Sequence, residues 1–264
     1  MARRPADVDV RQSVKDIFFT KNQYKLIDDY VIRDGRQHPV AILCPGGGYG
    51  MICSFIEGVP VAKKLNQMGI SAVIVYYRLK KRARFPAPQD DLACAVKEVI
   101  RKAEEFNVDA AHYSVWGASA GGHLAASFGT DHMGYVKYGL PKPAALILSY
   151  PVISMRPALT HKDTHDNLLG KSPSPELEES VSVDEQITKN YPPVYIWCGD
   201  ADKTVMPENT VRMEKVLEEA GVPLCCEIFP GVGHGVGPGS GTAAEGWIDR
   251  AVDFWKSQYR ETVE

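Results

Sequence analysis

The sequence lacks any apolar run approaching the roughly 20 residues that a membrane-spanning helix requires, so no helical membrane protein is expected. It also lacks a charge excess: 30 lysines and arginines against 33 aspartates and glutamates leave a formal net charge of −3. That balance speaks against a nucleic-acid groove or a polybasic membrane face and favours a small-molecule partner. The six cysteines show no CxxC pairing of the kind used by zinc or redox sites, and they are read as reduced core residues. No HExxH is present. The glycines of GPGSG (237 to 241) lack the lysine of a phosphate-binding loop and do not directly follow a strand. Internal repeats and low-complexity tracts are absent. The opening MARRPADVDVRQSVKD carries two arginines with no apolar stretch behind them, so a secretory signal is not expected and the chain is read as cytoplasmic.

What the sequence does contain is 44% hydrophobic residues over 264 positions, enough for a large core, and one α/β domain spanning residues 1–264 is expected. After a polar lead-in (1 to 16), DIFFT (16 to 20) and YKLIDDYVIR (24 to 33) read as strands. PVAILC (39 to 44), SAVIVYY (71 to 77), HYSVW (112 to 116), AALILSYPV (144 to 152), VYIWC (194 to 198) and LCCEIF (224 to 229) are apolar runs of the buried type found in parallel sheets. Between them lie helical patterns: Val59 to Met68, a long one running from Leu92 to Phe106, one after Ser119, one from about 207 to 220, and a final one carrying Trp247 and Trp255. The alternation predicts a mostly parallel sheet with helices on both faces. A polar, proline-bearing segment at about 154–193 breaks the rhythm, and it reads as a lid-like insertion because it lacks the apolar residues for its own core.

Ligands of open α/β sheets bind beyond the carboxyl ends of the strands, so the loops there carry the chemistry. HYSVW runs into GASAGGHLA (117 to 125), a GxSxG whose small residues would let Ser119 occupy a strained turn between strand and helix. A serine hydroxyl needs a base to take its proton, and the base needs a carboxylate to fix its tautomer. GDADKTVMP, after VYIWC, offers Asp200 and Asp202; PGVGHGVG, after LCCEIF, offers His234. Ser, Asp, His is the chain order of α/β-hydrolases. The oxyanion of an attacked carbonyl needs fixed donors, and the amide of Ala120 together with amides of PGGGYG, after PVAILC, could supply them.

From about residue 38 onward the chain resembles the α/β-hydrolase esterases, in particular the small carboxylesterase and acetylesterase group related to hormone-sensitive-lipase-like enzymes. The resemblance is carried by PGGGY, YRL (77 to 79), GASAGGHLA, YPVIS (150 to 154), NLLG (167 to 170), GDADKTVMP and GVGHG. It implies an α/β-hydrolase fold. It assigns the acid to Asp202, with Val205 and Pro207 in register, and leaves Asp200 as a turn residue. It also implies Gly47 and Gly48, with Ala120, as the oxyanion hole, and Tyr49, Glu57 and Tyr77 as pocket-lining residues. Lipase-like members carry a histidine before the three glycines, where this chain has Pro45. That departure moves the match toward small esterases resembling bacterial deacetylases of acetylated sugars and xylan fragments.

The expected activity is hydrolysis of short acyl esters, acetyl foremost, of a sugar or other small alcohol through an acyl-enzyme, with no metal or organic cofactor. Amide hydrolysis on the same triad, as in an arylformamidase or small peptidase, and a non-catalytic ligand-binding use of the fold remain as alternatives. His161 and His165 of HKDTHD are candidate substrate contacts in what reads as a loop. Asp90 and Asp91 follow Pro88 and read as helix-start residues, where carboxylates suit the macrodipole. Lys80, Lys81, Arg82 and Arg84 read as a solvated basic surface.

Overall fold

Apolar side chains alternating along each buried strand divide the core into two layers, one on each face of a single sheet. The computed structural model describes residues 26–259, so the expected strand DIFFT and the polar lead-in fall outside the described residues. The strands are β1 (Ile27–Tyr30), β2 (His38–Cys44), β3 (Ser71–Val75), β4 (Val108–Ala118), β5 (Ala145–Ser149), β6 (Val194–Gly199) and β7 (Leu224–Phe229). Hydrogen bonding orders them β1-β3-β2-β4-β5-β6-β7, with every neighbouring pair parallel except β1 and β3.

The helices are α1 (Val59–Gln67), α2 (Ala87–Arg101), α3 (Ala103–Phe106), α4 (Ser119–Phe128), α5 (Lys162–Leu168), α6 (Pro175–Val181), α7 (Glu208–Glu219) and α8 (Trp247–Ser257). Ile42, Val73, Val115, Leu146 and Ile196 join the core layer that holds Leu92 and Val96 of α2, Leu124 of α4 and Met213 of α7. The next residue in each strand, Leu43, Ile74, Trp116, Ile147 and Trp197, joins the opposite layer, with Leu65 of α1 and Trp247, Val252 and Trp255 of α8. This period of two on strands, met by helices on both sides, is the doubly covered sheet that the alternation of apolar runs predicts. The long pattern expected to end at Phe106 is interrupted at Lys102, which separates α2 from α3.

Helix α4 departs from the amphipathic pattern, because every residue from Ser119 to Phe128 is buried. Its approach to the sheet depends on glycine: a Cβ on Gly121 would lie 2.0 Å from the Cys44 carbonyl oxygen, and one on Gly117 would lie 2.2 Å from the Gly121 carbonyl oxygen. No side chain longer than hydrogen fits there without moving backbone.

The insertion is more ordered than its polarity suggests. HKDTHD is not a loop: α5 begins at Lys162, and α6 and a short 3-10 turn (Val183–Glu185) follow. Met155, Leu168, Val181 and Val183 are buried in the layer that contains α2, α4 and α7. Their dispersion along the segment hides this contribution, since they join the main core one or two at a time. The cysteines are free, but only Cys44 and Cys198 are buried; Cys53, Cys225 and Cys226 are half-buried and Cys94 is exposed. No helix among the described residues is long and apolar enough to cross a membrane.

Candidate active site

Strand β4 passes into α4 with a single sharp step. Ala118 is extended at φ −117° and Ser119 takes φ +53°, a left-handed conformation that costs a non-glycine residue about 1–2 kcal/mol. The close helix-to-strand packing enforced by Gly117 and Gly121 holds that strain and turns the Ser119 hydroxyl away from the sheet.

Loops from two more strand ends meet this hydroxyl. His234 Nε2 lies 2.9 Å from Ser119 Oγ, and His234 Nδ1 lies 2.6 Å from Asp202 Oδ2. An ionised carboxylate can only accept, so Nδ1 carries the proton toward Asp202 and the lone pair of Nε2 faces the serine. Asp202 is fully buried, and its other oxygen accepts the N–H groups of Thr204 at 2.8 Å and Val205 at 3.0 Å. Asp200 instead accepts from the Gly231 amide at 2.7 Å, which braces the loop that bears His234. Of the two aspartates, only Asp202 bonds to the histidine.

Gly47 and Gly48, at φ +124° and +61°, line the cavity into which Ser119 and His234 open. Such angles are accessible to glycine at little cost. Ala120 occupies the second position of α4, where a backbone N–H has no intrahelical acceptor and the helix dipole presents its positive end. The cavity measures about 1370 Å³.

Several expected pocket residues stand behind this surface. Tyr49 is wholly buried and its hydroxyl donates to His123 Nδ1 at 3.0 Å. Tyr77 is buried and its hydroxyl donates to the Pro45 carbonyl. Both brace the glycine loop and neither lines the cavity. His165 turns away as well, bonded to Glu178 at 3.0 Å and Asp166 at 3.1 Å. His161 does line the cavity; as the residue preceding α5 it has an extended backbone, so the two histidines do not share a helical face. Burial holds the His161 imidazole below its ordinary pKa. Glu57 lines the cavity with both carboxylate oxygens engaged: Oε2 accepts from the Gly46 amide at 2.6 Å and Oε1 from the Tyr150 hydroxyl at 3.0 Å. Among the described residues no group of three or more His, Cys, Asp or Glu side chains could hold a metal ion.

The sequence reading missed other contributors. Lys80, Lys81, Arg82 and Arg84 are exposed, as expected of a solvated basic surface, and all four also line the cavity. Arg84 also donates to the carbonyls of Asp166, at 2.6 Å, and Asn167, tying the insertion to the mouth. Asn167, in NLLG, donates to the Gly48 carbonyl at 2.9 Å and so fixes the glycine loop from above. Asp91 receives the Arg78 backbone and guanidinium, while Asp90 accepts from the Tyr138 hydroxyl at 2.7 Å. Those two carboxylates are anchors as well as helix-start residues. In each case the signal was a polar residue beside a motif, with nothing local to name its partner.

His123, four residues beyond Ser119, links α4 to both sides of the site. Its Nε2–H donates to the Val181 carbonyl at 2.9 Å, and its Nδ1 accepts from Tyr49. Complete burial pushes its pKa down from 6.5 to about 4. The unfolded chain therefore takes up a proton that the folded chain refuses. The stability His123 confers is complete above pH 6.5 and is lost as pH falls toward about 4, by roughly 3 kcal/mol. Urea unfolding at pH 7 and pH 5 should show wild type losing more stability over that interval than His123→Gln; equal losses would refute the assignment.

A mostly parallel sheet with a serine at a strand-to-helix elbow, faced by a histidine and an aspartate from later strand ends, defines an α/β-hydrolase. The chain belongs to the BD-FAE family of α/β-hydrolase esterases, whose profile matches residues 30–217. An acetyl ester-xyloside bifunctional hydrolase from Caldicellulosiruptor lactoaceticus superposes with a TM-score of 0.81 at 30% identity, covering 92% of each chain. A carboxylesterase from Lactobacillus plantarum WCFS1 shares the fold at 22% identity, with a TM-score of 0.75 over 88% of this chain and 92% of that one. An acetylxylan esterase of Xylanibacter ruminicola is 32% identical over 74% of this chain, and an endo-1,4-beta-xylanase B of Butyrivibrio fibrisolvens is 31% identical over 83%. The chain spans only 40% and 35% of the lengths of those two proteins.

Proposed function

We propose that this chain is a serine esterase that removes short acyl groups, acetyl foremost, from a sugar or comparable small alcohol. The observation that carries the reading is the hydrogen-bonded chain from Ser119 through His234 to Asp202, opening onto a cavity beside the Gly47–Gly48 backbone. Ser119 Oγ attacks the acyl carbon while its proton passes to His234 Nε2, and Asp202 stabilises the imidazolium. The amides of Gly47, Gly48 and Ala120 take up the developing oxyanion. Collapse of the tetrahedral intermediate expels the alcohol, which leaves with the proton from His234. Water, deprotonated by the same imidazole, then releases the acid and restores the serine hydroxyl.

Polar side chains in a largely apolar wall support a hydroxyl-bearing alcohol: Lys80, Arg84, His161, Asp163 and Asn167 line, with Met51, Ile52, Ile56 and Leu79, a cavity far larger than an acetyl group needs. Relatives named for acetyl esters and acetylxylan support the acyl group. A panel of nitrophenyl esters of increasing acyl length tests both halves. Acetate should show the highest kcat/KM, falling as the acyl chain lengthens. A preference for long chains would reject the acetylesterase reading, and no turnover of any ester would reject the esterase.

A further inference from the structure

We infer that Glu57 and Tyr150 form a positioning pair that holds the glycine loop and the histidine loop in register and sets a second carboxylate near His234, behind the Tyr150 ring. The inference rests on the serine-esterase reading above. The oxyanion donors follow β2 and the base follows β7, so two loops from separate strand ends must keep a common geometry to within about 0.5 Å. Glu57 spans them. One oxygen accepts from Gly46 at 2.6 Å, immediately before Gly47 and Gly48; the other accepts from Tyr150 at 3.0 Å. The Tyr150 oxygen in turn accepts from the Gly237 amide at 3.2 Å, three residues beyond His234.

Tyr150 makes the histidine contact directly. Its ring meets the His234 ring edge-on with centroids 4.8 Å apart, and it meets Trp197 of β6 edge-on at 4.9 Å. It does so at φ +37°, a strained backbone for a residue with a side chain, just after β5. Glu57 also occupies irregular backbone, a single π-helical turn (Ser54–Gly58) ahead of α1. Such turns are frequent at functional sites. Two departures from regular backbone thus converge on one hydrogen bond.

Burial raises the Glu57 carboxyl above its ordinary pKa, and the Gly46 amide, the Tyr150 hydroxyl and the neighbouring His234 oppose that rise; the ionised form favours the imidazolium that His234 becomes during acyl transfer. Glu57 is faced by Tyr150, His234, Tyr77 and Cys53. His234 is faced by Asp202, His161 and, through Tyr150, Glu57.

The test compares wild type, Tyr150→Phe and Glu57→Gln on nitrophenyl acetate across pH, with thermal melting of each. Both variants should lose about 10- to 100-fold in kcat with KM within about twofold, since misplacement of the donors affects the transition state and not ground-state binding. Glu57→Gln keeps the side-chain shape and removes the charge. The acid limb of its kcat/KM profile should therefore move to lower pH, because the imidazolium has lost a stabilising neighbour. Unchanged kcat overturns the inference, and so does a kcat loss with an unmoved acid limb, which would mark the pair as scaffolding alone. If Glu57→Gln does not fold, Tyr150→Phe decides through kcat, because it keeps the buried ring and deletes only the hydroxyl. Wild type that neither hydrolyses the ester nor takes up an organophosphate on Ser119 would sink the esterase reading, and this inference with it. Active, labelled wild type with indifferent variants would sink this inference alone.

Discussion

Ser119→Ala is expected to lower kcat for nitrophenyl acetate on the order of 10⁴-fold or more while leaving the fold intact. On the proposed mechanism the substitution deletes the atom that attacks the carbonyl carbon, the hydroxyl that stands 2.9 Å from His234 Nε2. The backbone should not relax. Alanine bears the same Cβ at φ +53°, so it meets the same strain that serine meets, and Gly117 and Gly121 still hold α4 on the sheet. The expected signature is a melting temperature close to wild type with activity still about 10³- to 10⁴-fold above the uncatalysed rate. Residual stabilisation by the oxyanion donors should remain, because removing the nucleophile does not remove them. An Ser119→Ala protein that keeps the wild-type rate would show that another group attacks the ester.

Asp202→Asn is expected to cost on the order of 10³- to 10⁴-fold in kcat, and the surrounding hydrogen bonds dictate why. Oδ1 of Asp202 accepts from the amides of Thr204 and Val205. An asparagine must keep its oxygen on those two donors, which turns its NH₂ toward His234. The imidazole must then present a lone pair at Nδ1 and carry its proton at Nε2, the tautomer that cannot accept from Ser119. The fold should survive, since shape and both backbone bonds are kept. Paired with Ser119→Ala, the second change should add little, because the two residues act as one unit. A near-wild-type kcat in Asp202→Asn would mean that Asp202 does not govern the tautomer.

Much of this architecture was legible from local pattern. PVAILC and VYIWC are strands within a residue of their expected limits, because a buried parallel strand advertises itself as an unbroken apolar run; LCCEIF is the strand expected but stands at the sheet edge, where all but Phe229 are half-buried or exposed. The meeting of Ser119, Asp202 and His234 was legible because each lies in a loop or turn after such a run, and the sheet aligns the ends of its strands. Tyr49 and Tyr77 were placed in the pocket by the family resemblance, and His165 as a candidate contact in a segment read as a loop. The structure turns Tyr49 and Tyr77 into braces of the glycine loop and pairs His165 with Glu178, since a side chain beside a motif can face either way. Lys80, Lys81, Arg82 and Arg84 are the exposed basic residues expected, but their place in the cavity wall was hidden, because their cavity neighbours His161 and Asn167 lie far along the chain in the insertion. The cover that α5 and α6 lend to α4 was equally hidden, being spread over single apolar residues.

The sequence by itself determined the sheet, the elbow and the order in which Ser119, Asp202 and His234 arrive at strand ends, because periodicity and strand-end position are properties of neighbouring residues. Only the tertiary structure decided what holds them to one another. Glu57 and Tyr150 stand 93 residues apart in the chain, and Asn167 and Gly48 stand 119 apart. Hydrogen bonds across such separations exist only once the two layers have closed on the sheet, since neither partner carries a local sign of the other.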